Sequence, residues 1–160
     1  MIVISNTGPI NYLVLIEEIG ILPVLFGTVS IPQAVERELG SAQAPDKIRK
    51  WLGSSPGWLR VLEVEPDTSL AGLDAGEAEA ISLAVRARAG LIMLDEAKAR
   101  RAARERGLTV VGTLGILDKA SGRGLVDLTA AVSRLRSTTF RASPKLLAYF
   151  EARGTQRRGK

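Results

Sequence analysis

Three polar side chains come at the ends of short apolar runs that have the composition of buried strands: Asn6, Asp95 and Thr113. If these runs are parallel strands, ligands bind at their carboxyl ends, and we expect the three side chains to lie along one edge of a sheet. Asp and Thr also cap helices, so Asp95 and Thr113 have a purely structural alternative. The helix predicted after Gly112 would favour an anion at its start, but the segment is too short for a phosphate-binding loop.

Two glutamates lie among apolar residues of predicted helices. Glu77 shares a helical face with Ile81 and Ala84, whereas Glu79 lies on the opposite face, which is typical of a solvent-exposed residue. Burying an unpaired carboxylate is costly, which favours a functional role for Glu77 over a first-turn charge that only stabilises the helix dipole. Glu38 also falls within the apolar arc of its helix, although its carboxylate could reach solvent from that edge.

The composition limits the chemistry that these residues can support. The chain of 160 residues has no histidine and no cysteine, which excludes a Ser-His-Asp triad, a cysteine nucleophile and the usual zinc ligands. Carboxylates that lie close together repel one another unless a cation binds between them. Oxygen ligands select hard cations, so the predicted ligands of one or two Mg²⁺ or Mn²⁺ ions are Glu38, Glu77, Asp95 and the neutral Asn6. Such ions can activate a water for attack on a phosphodiester.

The second half of the chain is strongly basic. Residues 1–80 carry 5 basic and 11 acidic side chains, whereas residues 81–160 carry 17 basic and 6 acidic ones. This asymmetry favours nucleic acid as a partner, with Arg100, Arg101 and Arg104 as candidate phosphate contacts, although a solvated helix face also explains these arginines. The chain has three Phe, two Trp and two Tyr, too few to predict an aromatic platform for stacked bases.

Short apolar strands alternate with helices along the chain, which predicts a three-layer α/β/α sandwich with a mostly parallel central sheet. The predicted strands are 2–5, 28–31, 58–64, 91–94 and 108–111. The predicted helices are 10–19, 32–39, 46–52, 74–88 and 96–106, with a further one that begins at 113. We expect one domain over residues 1–153, in which 125–153 form additional helices, and a basic, disordered tail at 154–160.

The sequence predicts a cytoplasmic protein. No apolar run approaches the ~20 residues that a membrane-spanning helix needs. The first residues, Met1-Ile-Val-Ile-Ser-Asn6, lack the basic region and the long apolar stretch of a signal peptide.

Five segments of the chain, taken in order, form a specific pattern. They are Ile4-Ser-Asn-Thr-Gly-Pro9, Ile31-Pro32 with Val35-x-x-Glu38-Leu39, Gly76-Glu77-Ala-Glu-Ala-Ile81, Leu94-Asp95-Glu96-x-x-Ala99-Arg100 and Gly112-Thr-Leu-Gly-Ile-Leu117. Each segment is weak alone, but their order and spacing over residues 2–124 resemble the PIN-domain nucleases. The similarity is to the branch related to VapC-type toxins of toxin–antitoxin systems.

The resemblance implies a metal-dependent ribonuclease that cleaves single-stranded RNA as a toxin, forms a homodimer and is inhibited by an antitoxin protein. The predicted site consists of Asn6, Glu38, Glu77 and Asp95 as catalytic and metal-binding residues, with Thr7, Arg100 and Thr113 as supporting or substrate-binding residues. PIN nucleases generally have Asp where this chain has Asn6. The amide oxygen can still bind Mg²⁺, but the site loses one negative charge.

Two other functions stay open at this point. Asn6 motivates a catalytically weak or inactive domain that binds RNA or an antitoxin peptide without turnover. The other is an α/β domain that accepts a phosphoryl group on Asp95, but such domains depend on an acidic pair near the end of the first strand, where this chain has Ser5-Asn6. The helix at 10–19 or residues 125–150 could form the dimer surface, because both are rich in apolar residues.

Overall fold

A central sheet of five parallel strands forms the middle layer of the protein. The computed structural model describes residues 1–54 and 56–159. The strands are β1 (Val3–Ser5), β2 (Val29–Pro32), β3 (Leu59–Leu62), β4 (Leu91–Met93) and β5 (Val110–Val111), in the order β3-β2-β1-β4-β5 across the sheet. The four neighbouring pairs are all parallel, which confirms the predicted sheet.

Nine α-helices surround this sheet within the described residues. They are α1 (Thr7–Leu15), α2 (Ile21–Phe26), α3 (Gln33–Leu39), α4 (Asp46–Gly53), α5 (Ala75–Arg86), α6 (Ala97–Glu105), α7 (Thr113–Gly122), α8 (Leu128–Arg136) and α9 (Pro144–Arg158). A short 3₁₀ helix, Thr68–Leu70, precedes α5. No helix of the described segments combines the length and the apolar character that crossing a membrane requires.

Successive side chains of a strand point to opposite faces of the sheet, so each face presents apolar residues. Helices cover both faces and bury these residues. Val3 and Met93 pack in one core, together with residues of α1, α2, α4, α7, α8 and α9. Ile4 and Ile92 pack in a second core, together with residues of α5 and α6. The protein therefore has the predicted three-layer α/β/α architecture.

The sheet aligns the ends of the three strands from which predicted site residues emerge. Ser5 of β1 pairs with Met93 of β4, and Met93 pairs with Val111 of β5. The chain leaves the sheet at a similar level after each of these strands. The polar side chains that follow them therefore lie along one edge, as the strand-end rule predicts.

Some helix boundaries differ from the predictions. Helix α1 begins at Thr7, directly after β1, and ends at Leu15 rather than residue 19. It ends early because Glu17 adopts a left-handed conformation with φ of 64°. The segment Ile21–Phe26 forms α2, a helix that was not predicted because Gly20 and a proline interrupt its pattern.

The C-terminal segment also differs from the predicted disordered tail, because α9 continues to Arg158. Gly154 packs closely on α8, where an added methyl group would lie 2.5 Å from the hydroxyl oxygen of Thr129. Ion pairs join Arg157 to Asp118 of α7 and Arg158 to the N-cap residue of α8. The final residue of the predicted tail lies outside the described residues.

Candidate active site

Asn6 places an unpaired oxygen at the edge of the sheet. Its backbone N–H donates to the carbonyl of Met93 at 3.1 Å, which fixes the residue beside β4. The side chain makes no capping hydrogen bond, although Asn6 occupies the N-cap position of α1. Its Oδ1 atom is buried and has no hydrogen-bond partner among the described residues. A buried acceptor without a partner costs about 1–3 kcal/mol, so this oxygen suits a ligand that the protein itself does not supply.

Glu38 and Thr7 lie beside this oxygen. The Thr7 hydroxyl donates to Glu38 Oε2 at 2.6 Å and so orients the carboxylate. Gly76, in the first turn of α5, approaches closely: an added methyl group would lie 2.6 Å from Glu38 Oε1 and 3.1 Å from Asn6 Oδ1. A larger residue at position 76 would therefore displace the carboxylate. The structure brings Asn6, Thr7 and Glu38 into one cluster under the start of α5.

Glu79, one turn further along α5, stabilises the packing of α3 against α5. The prediction that Glu79 is exposed is wrong, because its side chain is only 13% exposed and pairs with Arg37 at 3.7 Å. Its Oε1 also accepts from the backbone N–H of Ala34 at 3.1 Å. Helix α3, which carries Glu38, packs on this face of α5 and is fixed there by these contacts.

Asp95 is held by the start of α7 rather than capping the helix that follows it. The backbone N–H of Thr113 donates to Asp95 Oδ1 at 2.8 Å, and the Thr113 hydroxyl donates to Oδ2 at 2.7 Å. Burial raises the pKa of the Asp95 carboxyl, whereas these hydrogen bonds and the charge of Arg100 oppose the rise. A methyl group added to Gly8 would lie 3.3 Å from Asp95 Oδ2, so this carboxylate borders the helix that carries Thr7.

Arg100 is anchored beside Asp95. Its Nη1 donates to the carbonyl of Leu94 at 3.1 Å. Burial and then the charge of Arg104 lower the pKa of the Arg100 guanidinium, while the charge of Asp95 raises it. Arginine remains protonated in spite of such a shift. The side chain therefore places a fixed positive charge next to the site.

Glu77 is buried, as its helical phase predicts, but its carboxylate bonds to its own helix. The residue is 6% exposed. Its Oε1 accepts from the backbone N–H of Asp74 at 3.3 Å, and the Asp74 carboxylate accepts from the backbone N–H of Glu77 at 2.8 Å. This reciprocal pair is a capping box that begins α5. Burial, followed by the charges of Asp74 and Glu96, raises the pKa of Glu77 to about 7.

Two acidic residues that are not among the predicted ligands also bear on this region. Asp74 could have been found, because the spacing Asp74-x-x-Glu77 is the pattern of a capping box. The charge of Glu96 contributes to the raised pKa of both Glu77 and Asp95. Glu96 could also have been found, because it follows Asp95 directly in the segment Leu94-Asp95-Glu96-x-x-Ala99-Arg100.

The predicted ligands do not form a cluster of three carboxylates. In residues 1–54 and 56–159, no three acidic side chains lie close enough together to hold a metal ion. Glu38 lies beside Asn6, whereas backbone N–H groups engage the carboxylates of Asp95 and Glu77. The expected common pocket for Glu38, Glu77 and Asp95 is therefore not formed by these side-chain positions.

A family model described as a PIN domain matches residues 2–153. A search of curated proteins and a search of solved structures found no match. The family match covers nearly the whole chain, including all five strands of the parallel sheet. The chain therefore belongs to the PIN-domain family.

Proposed function

We propose that this PIN domain is a Mg²⁺- or Mn²⁺-dependent endoribonuclease that cleaves single-stranded RNA. PIN domains are generally nucleases. The observation that carries the proposal is the buried, unpaired Oδ1 of Asn6 beside Glu38 Oε1 at the carboxyl edge of the sheet. Because Asn6 Oδ1 lacks a donor among the described residues and hard cations prefer oxygen ligands, the pair favours a divalent cation.

The oxygens of the site fit such a cation. Asn6 Oδ1 and Glu38 Oε1 both face the space beside Gly76 that an added methyl group would occupy. These two oxygens would be the first ligands of the metal ion. Each Asp95 oxygen already accepts one hydrogen bond but keeps a lone pair for a further interaction. Only Oε1 of Glu77 accepts a hydrogen bond in the capping box, so the other oxygen of this carboxylate would be the one to contribute.

A bound Mg²⁺ or Mn²⁺ supplies an activated water and neutralises charge that develops on the phosphodiester. The chain's own residues orient the groups around it. Thr7 holds the carboxylate of Glu38, and Thr113 holds that of Asp95. Arg100 places its positive charge beside Asp95, where it would attract a substrate phosphate.

RNA is the proposed substrate because positive charge is concentrated in the part of the chain that borders Asp95. Residues 81–160 carry 17 basic and 6 acidic side chains. The resemblance to the VapC-type branch extends the proposal to a cytoplasmic toxin that acts as a homodimer and is inhibited by an antitoxin protein.

The test is cleavage of a labelled single-stranded RNA by the purified full chain with Mn²⁺, Mg²⁺ or EDTA. Cleavage should require the metal and should fall by about 10- to 100-fold or more in Glu38→Gln and Asp95→Asn. Glu63→Gln, which changes an exposed carboxylate, is the matched control. Metal-independent cleavage, or cleavage unchanged in both site variants, refutes the mechanism.

Asn6 favours a second candidate, a domain that binds RNA or a partner protein without turnover. Asn in place of Asp removes one negative charge, and the described residues include no group of three acidic side chains suited to a metal. This function predicts RNA binding without cleavage at any metal concentration. Asn6→Asp should then strengthen Mn²⁺ binding in isothermal titration calorimetry. RNA cleavage with many turnovers by the wild-type chain rules it out.

A further inference from the structure

Two clefts open from the site, and they differ in charge. The larger has a volume of about 710 Å³ and lies between α6, β5, the start of α7 and residues 140–150. We name it the arginine groove after Arg100, Arg101, Arg104 and Arg141. Asp95 belongs to its lining and connects it to the site.

The protein only partly neutralises the arginines of this groove, whose lining also includes Asp95 and Glu105. In the part of the chain that the structure describes, Arg101, Arg104 and Arg141 form no ion pair. The four arginines outnumber these two acidic residues, and such an excess of positive charge favours a polyanion. Guanidinium groups bind phosphate oxygens with two parallel hydrogen bonds, so a phosphate backbone fits this surface.

Apolar side chains, two of them aromatic, also line the arginine groove. Val110 and Val111 of the edge strand β5 lie there with Leu146. Phe140 and Phe150, two of the three phenylalanines of the chain, also line it. Aromatic side chains stack on the bases of single strands, whose faces a duplex keeps covered. The groove therefore suits a single strand.

The smaller cleft has a volume of about 380 Å³ and lies between α1 and the segment from Glu38 to Ile48. We name it the amide cleft after the side chains of Asn11 and Gln43. Neither amide has a hydrogen-bond partner among the described residues, since Gln43 bonds only through its backbone N–H. Its described lining contains no lysine or arginine. Free amides can donate to and accept from the edges of a base.

The two clefts meet at the site. Gly8 lines the amide cleft, and a methyl group added to it would lie 3.3 Å from Oδ2 of Asp95 in the arginine groove. Tyr12 of the amide cleft and Phe140 of the arginine groove also touch edge to face, with ring centroids 5.1 Å apart. The clefts are therefore adjacent where the scissile phosphate would lie.

We propose that one strand of RNA crosses the site, with its phosphates in the arginine groove and a base in the amide cleft, where Asn11 and Gln43 select it. This inference rests on the proposed nuclease function and assigns its base selectivity to particular side chains. Phosphate contacts carry no sequence information, whereas side-chain amides read the edges of unstacked bases. Affinity and base preference should therefore be separable by mutation.

The first measurement is the affinity of the full chain for a fluorescent single-stranded RNA pool of random sequence, in EDTA, at several salt concentrations. The groove variant carries Arg101→Gln, Arg104→Gln and Arg141→Gln. The control variant carries Arg60→Gln, Arg86→Gln and Arg123→Gln, which removes three exposed charges outside both clefts. The slope of log affinity against log salt should become shallower by about 2 in the groove variant alone, since each phosphate contact to a single strand contributes about 0.7.

The second measurement is the sequence of the RNAs that the chain retains from the same pool, compared with the input. The wild type should enrich particular bases, and Asn11→Ala with Gln43→Ala should reduce that enrichment by about fivefold or more. The salt slope of this amide variant should stay that of the wild type. Gln33→Ala with Gln156→Ala, which removes two exposed amides outside both clefts, is the control.

Distinct results overturn each part of the inference. Equal enrichment in the wild type and the amide variant, or no enrichment at all, overturns base selection by Asn11 and Gln43. An unchanged salt slope in the groove variant overturns the proposal that RNA phosphates bind in the arginine groove. An acidic protein is then the partner that the groove's charge favours. RNA that binds as described but is not cleaved with Mn²⁺ refutes the nuclease function alone, so the two failures are distinguishable.

Discussion

The substitution Glu77→Gln removes a charge from a buried residue while keeping its hydrogen bond. The amide oxygen of Gln can still accept from the backbone N–H of Asp74, so the capping box is retained. Glu77 is 6% exposed, and burial, followed by the charge of Asp74, raises its pKa from 4.5 to about 7. The variant therefore isolates the free energy of ionising one buried carboxyl.

The sign of the effect follows from proton linkage. The folded protein holds this proton more tightly than the unfolded chain does, so the stability it contributes is complete below pH 4.5 and is lost as the pH rises to about 7. With solvent screening taken into account, this difference in pKa corresponds to about 1–3 kcal/mol of unfolding free energy. Glu77→Gln should match the wild type near pH 4.5 and should be more stable by that amount above pH 7.

Urea unfolding followed by circular dichroism, in EDTA and at several pH values, measures this difference. Glu63→Gln, which alters an exposed carboxylate, should show no such pH-dependent gain. A difference between wild type and Glu77→Gln that stays below about 1 kcal/mol over the whole range refutes the raised pKa. With Mn²⁺ in place of EDTA, the wild type should be stabilised more than Glu77→Gln if the Glu77 carboxylate binds the metal.

Two further substitutions test the packing around the site. Gly76→Ala places a methyl group 2.6 Å from Glu38 Oε1, and we expect Mn²⁺ affinity and RNA cleavage to fall by about 10- to 100-fold in calorimetry and cleavage assays. Gly53→Ala, where an added methyl group meets nothing within 4 Å, should change neither. Thr113→Val removes the hydroxyl that donates to Asp95 at 2.7 Å, and urea unfolding at alkaline pH should show a loss of about 1.5–3 kcal/mol. The loss should shrink at acidic pH, where Asp95 is protonated, and equal losses at both would contradict the hydrogen bond's role.

The layers of the fold could be predicted because their causes are local in the sequence. Buried parallel strands are apolar on both faces, and Leu91–Met93 and Val110–Val111 show this as short runs between helical segments. The sequence does not predict helix α2, because its apolar segment follows Gly20 and contains a proline, and both residues are typical of turns. The sequence does not predict that α9 continues to Arg158, because the contacts that stabilise this part of the helix join residues far apart in the chain. The ion pair between Arg157 and Asp118 is one of them.

The candidate site could be predicted only as a set of positions. The ends of β1, β4 and β5 placed Asn6, Asp95 and Thr113 on one edge. The partner of each carboxylate was not predictable in the same way. Asp95 was equally consistent with capping its own helix, and Glu77 with a first-turn charge, because each sequence pattern is compatible with several hydrogen-bond partners.

The sequence by itself determined which residue types are available and which strand ends bring them to one edge: oxygen donors without His or Cys, beside a basic second half. Only the tertiary structure decided how those oxygens are used. Thr7 meets Glu38 across 31 residues, and Thr113 meets Asp95 across 18. Such contacts depend on the distance between packed helices, as at Gly76, where α5 lies close to Glu38. The packing of the whole core sets this distance, and no local sequence pattern does.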